Sequence, residues 1–342
     1  MLKRTVLVLL FALPCCVLLS FAPKKQPQKT IKTIIVDAGH GIMDNGGHNG
    51  AKGSYSYEDE ICLAISKQLV TELKDRFPEV KIVETRPTER IVALHRRAEI
   101  ANENHGDLFL CIHVNAMPPI HHSEFTGYKK VTSYVGKGKK RRKVTKSVPQ
   151  YRRWTTPNTT TKGAETYIWG AHKNDDKEVA MRENAPMLEE DNFKENYGDI
   201  DPNSPEFIAL SLLKTKQYFK RSATLAGFVQ DEFAKVGRVD GDVRQRGVGI
   251  WVLQATAMPS VLVETGYITN PGEEDYLNSK DGQKEIADCV IRAIKNYILW
   301  LEKNQVQNDN GENNGNNNNT SPRDVKAFLN QVDKKEKEKK GF

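Results

Sequence analysis

Cysteine is scarce in this chain and follows no pattern. Two of the five, Cys15 and Cys16, fall in the first twenty residues, leaving Cys62, Cys111 and Cys289 for the body. An odd, widely spaced set gives no disulfide framework, and without a CxxC pair there is no cysteine zinc site. Cys62 and Cys111 sit inside apolar runs and read as small core residues. Charge is missing from Thr5 to Ala22, directly after Lys3 and Arg4. A basic start followed by such a stretch reads as a signal peptide or N-terminal anchor over residues 1–22, which places the chain in the periplasm or cell envelope. Ser20-Phe21-Ala22 suits a signal peptidase while Pro23 opposes cleavage, and Pro14 argues against lipidation at Cys15, so release and retention both stay open. Export excludes nucleic acid as the partner. Acids are nearly missing from 117–162, where Glu124 alone faces twelve Lys and Arg. Mean hydropathy is −0.60, so polar appendages accompany the core that 342 residues can build.

Between these appendages, strand-like and helix-like segments alternate. After a linker over 23–31, the β-branched run IIV (34–36) predicts a strand, and KIVETR (81–86) and LFLCIHV (108–114) predict two more. Helical periodicity over 58–73 and 89–104 separates them, which argues for an α/β domain with a largely parallel sheet. The basic stretch 117–162 has no apolar period and reads as an insertion, a long hairpin or a partly disordered loop. The sheet resumes at GAETYIWG (163–170), a long helix spans about 206–236, and IWVLQA (250–255) and SVLVET (260–265) read as short strands. A last helix covers 283–303 and closes a domain over 32–303. Residues 304–342, Asn-rich and then Lys-rich, cannot bury a core and are expected to be disordered.

Four polar residues stand where this pattern demands core. His40 follows IIVDAG, His113 ends LFLCI, and Glu264 follows SVLV. Burying such groups is costly unless something pairs with them. His40 and His113 both end strands, which puts them at the carboxyl edge of an open α/β sheet, where sites are built. Glu58 emerges from helical projection. At 100° per residue, with Ile61 at zero, it lies at about 60°, in the middle of the Ile61, Ile65, Leu69 face; Asp59 lies at about 160° and Glu60 at about 260°. An acid in the first turn complements the helix dipole, but that does not explain its inward direction. Two His and one carboxylate would suit zinc, and a second carboxylate would make such a site catalytic. Glu264, among apolar neighbours, should have a raised pKa, as a general base near neutral pH requires.

The ordered set IIVDAGHG, YEDEICLAISKQL, FLCIHVNA, GAETYIWG and SVLVETGYITNPGEE resembles the zinc-dependent N-acetylmuramoyl-L-alanine amidases of the amidase 3 family. The likeness covers about 32–116 and 163–301. It implies a twisted, mostly parallel six-stranded sheet with helices on both faces. It further implies Zn2+ held by His40, Glu58 and His113, with Glu264 as the catalytic residue. The reaction implied is hydrolysis of the amide between N-acetylmuramic acid and L-alanine in peptidoglycan, for cell-wall remodelling or daughter-cell separation. Asn115 and the GAETY block match segments near the family's site. The chain departs from the pattern at Asp59, where a basic residue is common, and in the insertion, which replaces a short connection. The insertion is either a solvated loop or a patch for an anionic wall polymer, a membrane surface or an acidic partner. The acidic segment within 184–205 is expected to regulate the site, with Glu189 or Glu190 capping the metal until an activator protein removes it. A zinc peptidase acting on stem peptides and a non-catalytic wall-binding protein are the competing readings. No wall-binding repeat is visible.

Overall fold

The computed structural model describes residues 31–169, 205–246 and 250–309. The leader, most of the acidic segment expected to regulate the site, and the tail beyond 309 lie outside the described residues. Strand β1 (Thr33–Ala38) is buried along its whole length, as the β-branched run TIIV dictates for a strand covered on both faces. The tiny pair β2 (Gly41–Ile42) and β3 (His48–Asn49) follows it. Helix α1 (Glu58–Arg76), strand β4 (Lys81–Glu84), helix α2 (Leu94–Glu103) and strand β5 (Leu108–Asn115) complete the first half. Strands β6 (Ile120–Val135) and β7 (Arg142–Thr156) come next, and β8 (Ala164–Trp169) returns to the sheet. The second half consists of α3 (Pro205–Lys235), β9 (Asp240–Arg246), α4 (Trp251–Ala255), β10 (Ser260–Tyr267), α5 (Pro271–Asn278) and α6 (Lys280–Asp309).

The main sheet runs β4-β1-β5-β10-β8-β9. Pairing is parallel from β4 to β10 and between β8 and β9; the β10–β8 step alone is antiparallel. This is the mostly parallel six-stranded sheet that the motifs imply. Alternation along the strands splits the core in two. Leu108, Leu110, Ile112 and Val114 of β5 face the larger cluster, with Ile61, Ile65 and Leu69 of α1, Val229 of α3 and Ile294 of α6. Phe109 and Cys111 face the smaller cluster, with Ala101, Val252, Leu253 and Met258. Helices therefore cover both faces. Each fully buried Leu or Ile removes enough apolar surface from water to contribute about 2 kcal/mol.

Two sequence-based expectations change. IWVLQA is a five-residue helix rather than a strand: the Ile250 carbonyl accepts from the Leu253 and Gln254 amides, and the sixth strand is DGDVRQR instead. A short apolar run does not separate strand from buried helix by composition. Of the two readings of the insertion, the long hairpin is the one present, with β6 and β7 paired antiparallel. Helix α6 also continues past Lys303 to Asp309.

Candidate metal centre

His40, Glu58 and His113 come together, and all three are buried. One ligand atom from each can be chosen so that the three lie within 4.8 Å of one another. His40 Nε2 lies 3.0 Å from Glu58 Oε1, and His113 Nδ1 lies 3.3 Å from the same oxygen. The two imidazoles meet edge to face, 4.7 Å between centroids.

Each of the three side chains is placed by a different part of the fold. His113 stands near the end of β5 on the face of the smaller cluster. Glu58 opens α1, whose apolar stripe packs on the opposite face; its carboxylate therefore reaches the site at the sheet's edge. Oε1 accepts the Val114 amide (3.1 Å) and Oε2 the Ala51 amide (2.8 Å). No side chain caps α1 at Tyr57, so this inward carboxylate is spent on the site rather than on the helix. The 50s loop before it is clamped from α5: the buried Glu274 carboxylate accepts the amides of Ser54, Tyr55 and Ser56 and the hydroxyls of Ser54 and Ser56. Burial alone would push the Glu274 carboxyl up, but these bonds hold it below the usual carboxylate range.

His40 sits in the left-handed region, at φ 60°, a conformation that costs a non-glycine residue about 1–2 kcal/mol. Two buried arginines hold it there. Arg97 donates to the carbonyls of Ala38 (2.6 Å) and His40 (2.5 Å) and pairs with Asp37 at 3.0 Å. Arg86 donates to the carbonyls of Ala38, Gly39 and Asp59, so one guanidinium ties the His40 turn to the first turn of α1. Burial, together with Arg97 nearby, lowers the Arg86 pKa. The Nδ1 of His40 meets Asn49 Oδ1 at 2.8 Å. Asn49 accepts from an Nδ1–H, and this fixes the tautomer with the Nε2 lone pair directed at Glu58.

The residues fit a zinc ion. The donor set is two imidazoles and one carboxylate, the set that leaves a catalytic zinc an open position. The space between them is kept by glycines. A Cβ on Gly39 would lie 2.5 Å from the His113 ring, and one on Gly50 would lie 2.8 Å from His40 and 3.0 Å from Glu58 Oε2.

Glu264 stands on β10 directly opposite His113 in register, fully buried. Paired residues on neighbouring strands share a face, so both occupy the same side of the sheet at one edge. Glu165 of β8 pairs with Glu264 from the other side. Glu165 accepts from Asn115 (2.9 Å) and from the Tyr167 hydroxyl (2.6 Å), and meets Arg244 at 2.7 Å. Burial, and then Glu165, pushes the neighbouring Tyr267 hydroxyl up. The helical projection separates Glu58 from Glu60, which is exposed. It misses Asp59, which is buried against His48 at 2.9 Å, and that ring in turn stacks on Tyr57. Sequence reasoning also passes over Arg86, Arg97 and Glu274. Their only signal is charge inside otherwise apolar surroundings, which a surface helix shows equally.

A family model for N-acetylmuramoyl-L-alanine amidase, amidase 3, matches residues 34–296. The chain is 24% identical over 286 residues to N-acetylmuramoyl-L-alanine amidase AmiA of Escherichia coli (strain K12), covering 83% of this chain and 82% of that one. It is 27% identical over 270 residues to the AmiC amidase of Escherichia coli O6:H1, covering 78% and 52% respectively. Among solved structures, the N-acetylmuramoyl-L-alanine amidase of Clostridium difficile 630 aligns with a TM-score of 0.48 at 19% identity, over 79% of this chain and 97% of that one. The family match runs from the second residue of β1 into α6 and takes in every element that supplies the buried cluster: the chain belongs to the N-acetylmuramoyl-L-alanine amidase family, amidase 3.

Proposed function

We propose that His40, Glu58 and His113 hold zinc in this amidase, and that Glu264 is the general base and acid for hydrolysis of the bond between N-acetylmuramic acid and L-alanine in peptidoglycan. The observation that carries the assignment is the convergence of three buried candidate ligand atoms within 4.8 Å, with a second buried acid, Glu264, in register beside His113. When bound, zinc supplies a Lewis acid for the scissile carbonyl and lowers the pKa of its water towards about 7. Glu264 takes one proton from the attacking water and delivers it to the departing nitrogen. The water oxygen stays with the lactyl carbon, giving a carboxylate on the sugar and a free amino group on L-alanine. Glu58 keeps its place through the Ala51 and Val114 amides, and His40 through Asn49 and the two arginines. The packed sides of the sheet keep bulk water from Glu264.

The basic-then-apolar leader supports an exported enzyme working in the cell envelope, where this substrate lies. Among the described residues no helix is long and apolar enough to cross a membrane. Digestion of purified peptidoglycan tests the reaction. The expected products are glycan freed of peptide and stem peptides that begin with a free L-alanine amine. Cleavage between residues of the stem peptide would mean a peptidase and overturn the assignment.

A further inference from the structure

The largest feature that this chemistry leaves unused is the ribbon of β6 and β7. The two strands pair at fifteen positions, and at roughly 3.3 Å per residue the ribbon is about 50 Å long. Both of its ends are fastened to the turn that follows Glu264. The Met117 amide donates to Thr269 Oγ1 at 3.2 Å, and Asn270 Nδ2 donates to the Thr161 carbonyl at 3.1 Å. The ribbon thus leaves the sheet just after His113 and returns just before Glu165, both at the catalytic edge.

Its surface is neither plain linker nor core. Residues 120–156 hold eleven Lys and Arg against Glu124 alone. Register puts Phe125, Tyr128, Tyr134 and Tyr151 on one face, beside Lys130 and Lys143. The other face has Trp154, Val131 and Val148, beside Lys129, Lys146 and Arg152. All five rings are exposed, from Trp154 at 41% to Tyr128 at 70%. They are also held in place: Phe125 meets Tyr128 and Tyr151 edge to face, Arg141 lies 4.6 Å over Tyr134, and Arg152 lies 5.6 Å from the Trp154 ring. A bulge between Phe125 and Gly127 bends the ribbon, and nearby lies a groove of about 450 Å³ that includes Lys129, Val131, Val148 and Arg152. Exposed apolar groups on this scale mark an interaction surface.

Charge requires an anionic occupant, and the rings require one with faces to stack on. An element that lies on a bilayer separates its apolar side from its cationic side; this ribbon mixes both kinds on both faces. A polymer of sugars bearing acidic peptides meets both demands, and it must already pass the ribbon's roots to reach the zinc site. We propose that the β6–β7 ribbon is a peptidoglycan-binding arm, with its aromatic rings stacking on sugar faces and its Lys and Arg pairing with stem-peptide carboxylates. The proposal rests on the amidase reading and extends the binding site along the polymer.

Two full-length variants test it, each altering exposed ribbon positions only. One carries Phe125→Ser, Tyr128→Ser, Tyr151→Ser and Trp154→Ser; the other carries Lys129→Glu, Lys130→Glu, Lys143→Glu and Lys146→Glu. Binding is read by cosedimentation with purified insoluble peptidoglycan in the Glu264→Gln background. Turnover is read with a soluble muramoyl-tripeptide that is too short to reach the ribbon. Each variant should raise the apparent Kd for the polymer at least tenfold and leave kcat/KM on the fragment within twofold. Added salt should weaken the wild-type polymer complex. Unchanged polymer binding by both variants overturns the arm. Polymer binding that stays intact while binding to phosphatidylglycerol vesicles is lost overturns it in favour of a membrane surface. Failure of the wild type to cleave the fragment refutes the amidase reading itself, a result separate from either of these.

Discussion

Replacing Arg97 by Met should destabilise the protein by about 3–5 kcal/mol, the usual consequence of removing one partner from a buried ion pair. The side chains of Arg97 and Asp37 are each 1% exposed and 3.0 Å apart. Methionine fills much of the stem volume, so little of the loss comes from a cavity. It comes from a buried carboxylate left without its cation and from the Ala38 and His40 carbonyls losing their bonds to Arg97. Asp37 retains donors from Thr85 Oγ1 and Cys111 Sγ, which places the expected value in the lower half of that range. Because the lost bonds restrain the left-handed His40 turn, zinc affinity should also fall, by roughly tenfold. Urea denaturation at constant m gives the first quantity, and zinc competition with a chelator gives the second. The double variant Arg97→Met with Asp37→Asn removes the stranded charge and should regain about 1 kcal/mol or more over the single variant. A loss below about 1 kcal/mol in the single variant, or no recovery in the double, would refute the claim that this pair anchors the His40 turn.

Glu274→Gln should cost about 1–3 kcal/mol through weaker bonds to the 50s loop, and it should flatten the acid side of the stability curve. Because the folded pKa of Glu274 is depressed, its contribution is fully present above the unfolded value of about 4.3 and is lost as pH falls through the folded value; a thermal-melt series from pH 7 to 3 reads the difference. Gly50→Ala, at φ +97° with its new methyl against His40 and Glu58, should lower zinc affinity at least tenfold while the core stays folded, as zinc titration with far-UV circular dichroism would record. Leu69→Ala, fully buried in the larger cluster, should cost about 2–5 kcal/mol and leave zinc stoichiometry at one, which separates stability from the site.

Much of the site could be read because the sheet imposes direction. The strand runs before His40 and His113 place both at the carboxyl edge, and the 100° step of α1 picks Glu58 over Glu60. What could not be read depends on long-range partners. Asp59, at the margin of the projected face, is buried because His48 reaches it from β3, eleven residues earlier. Arg86 and Arg97 look like ordinary solvated charges in sequence, and only the fold shows that they converge on the backbone around His40. The insertion could be read only as a hairpin or a loop, because neither face of the ribbon is buried, so it lacks the apolar alternation by which a half-buried strand is recognised. IWVLQA was too short and too uniformly apolar for any period to distinguish its helix from a strand.

The most direct test of the mechanism is Glu264→Gln, assayed for zinc content and peptidoglycan hydrolysis on the same preparation. The amide preserves the size of the side chain beside His113 but cannot take a proton from water. The expected result is one zinc per chain, as in the wild type, with release of stem peptides reduced by at least a hundredfold. Full zinc with wild-type product release would contradict it, since the proton would then have to move through another group.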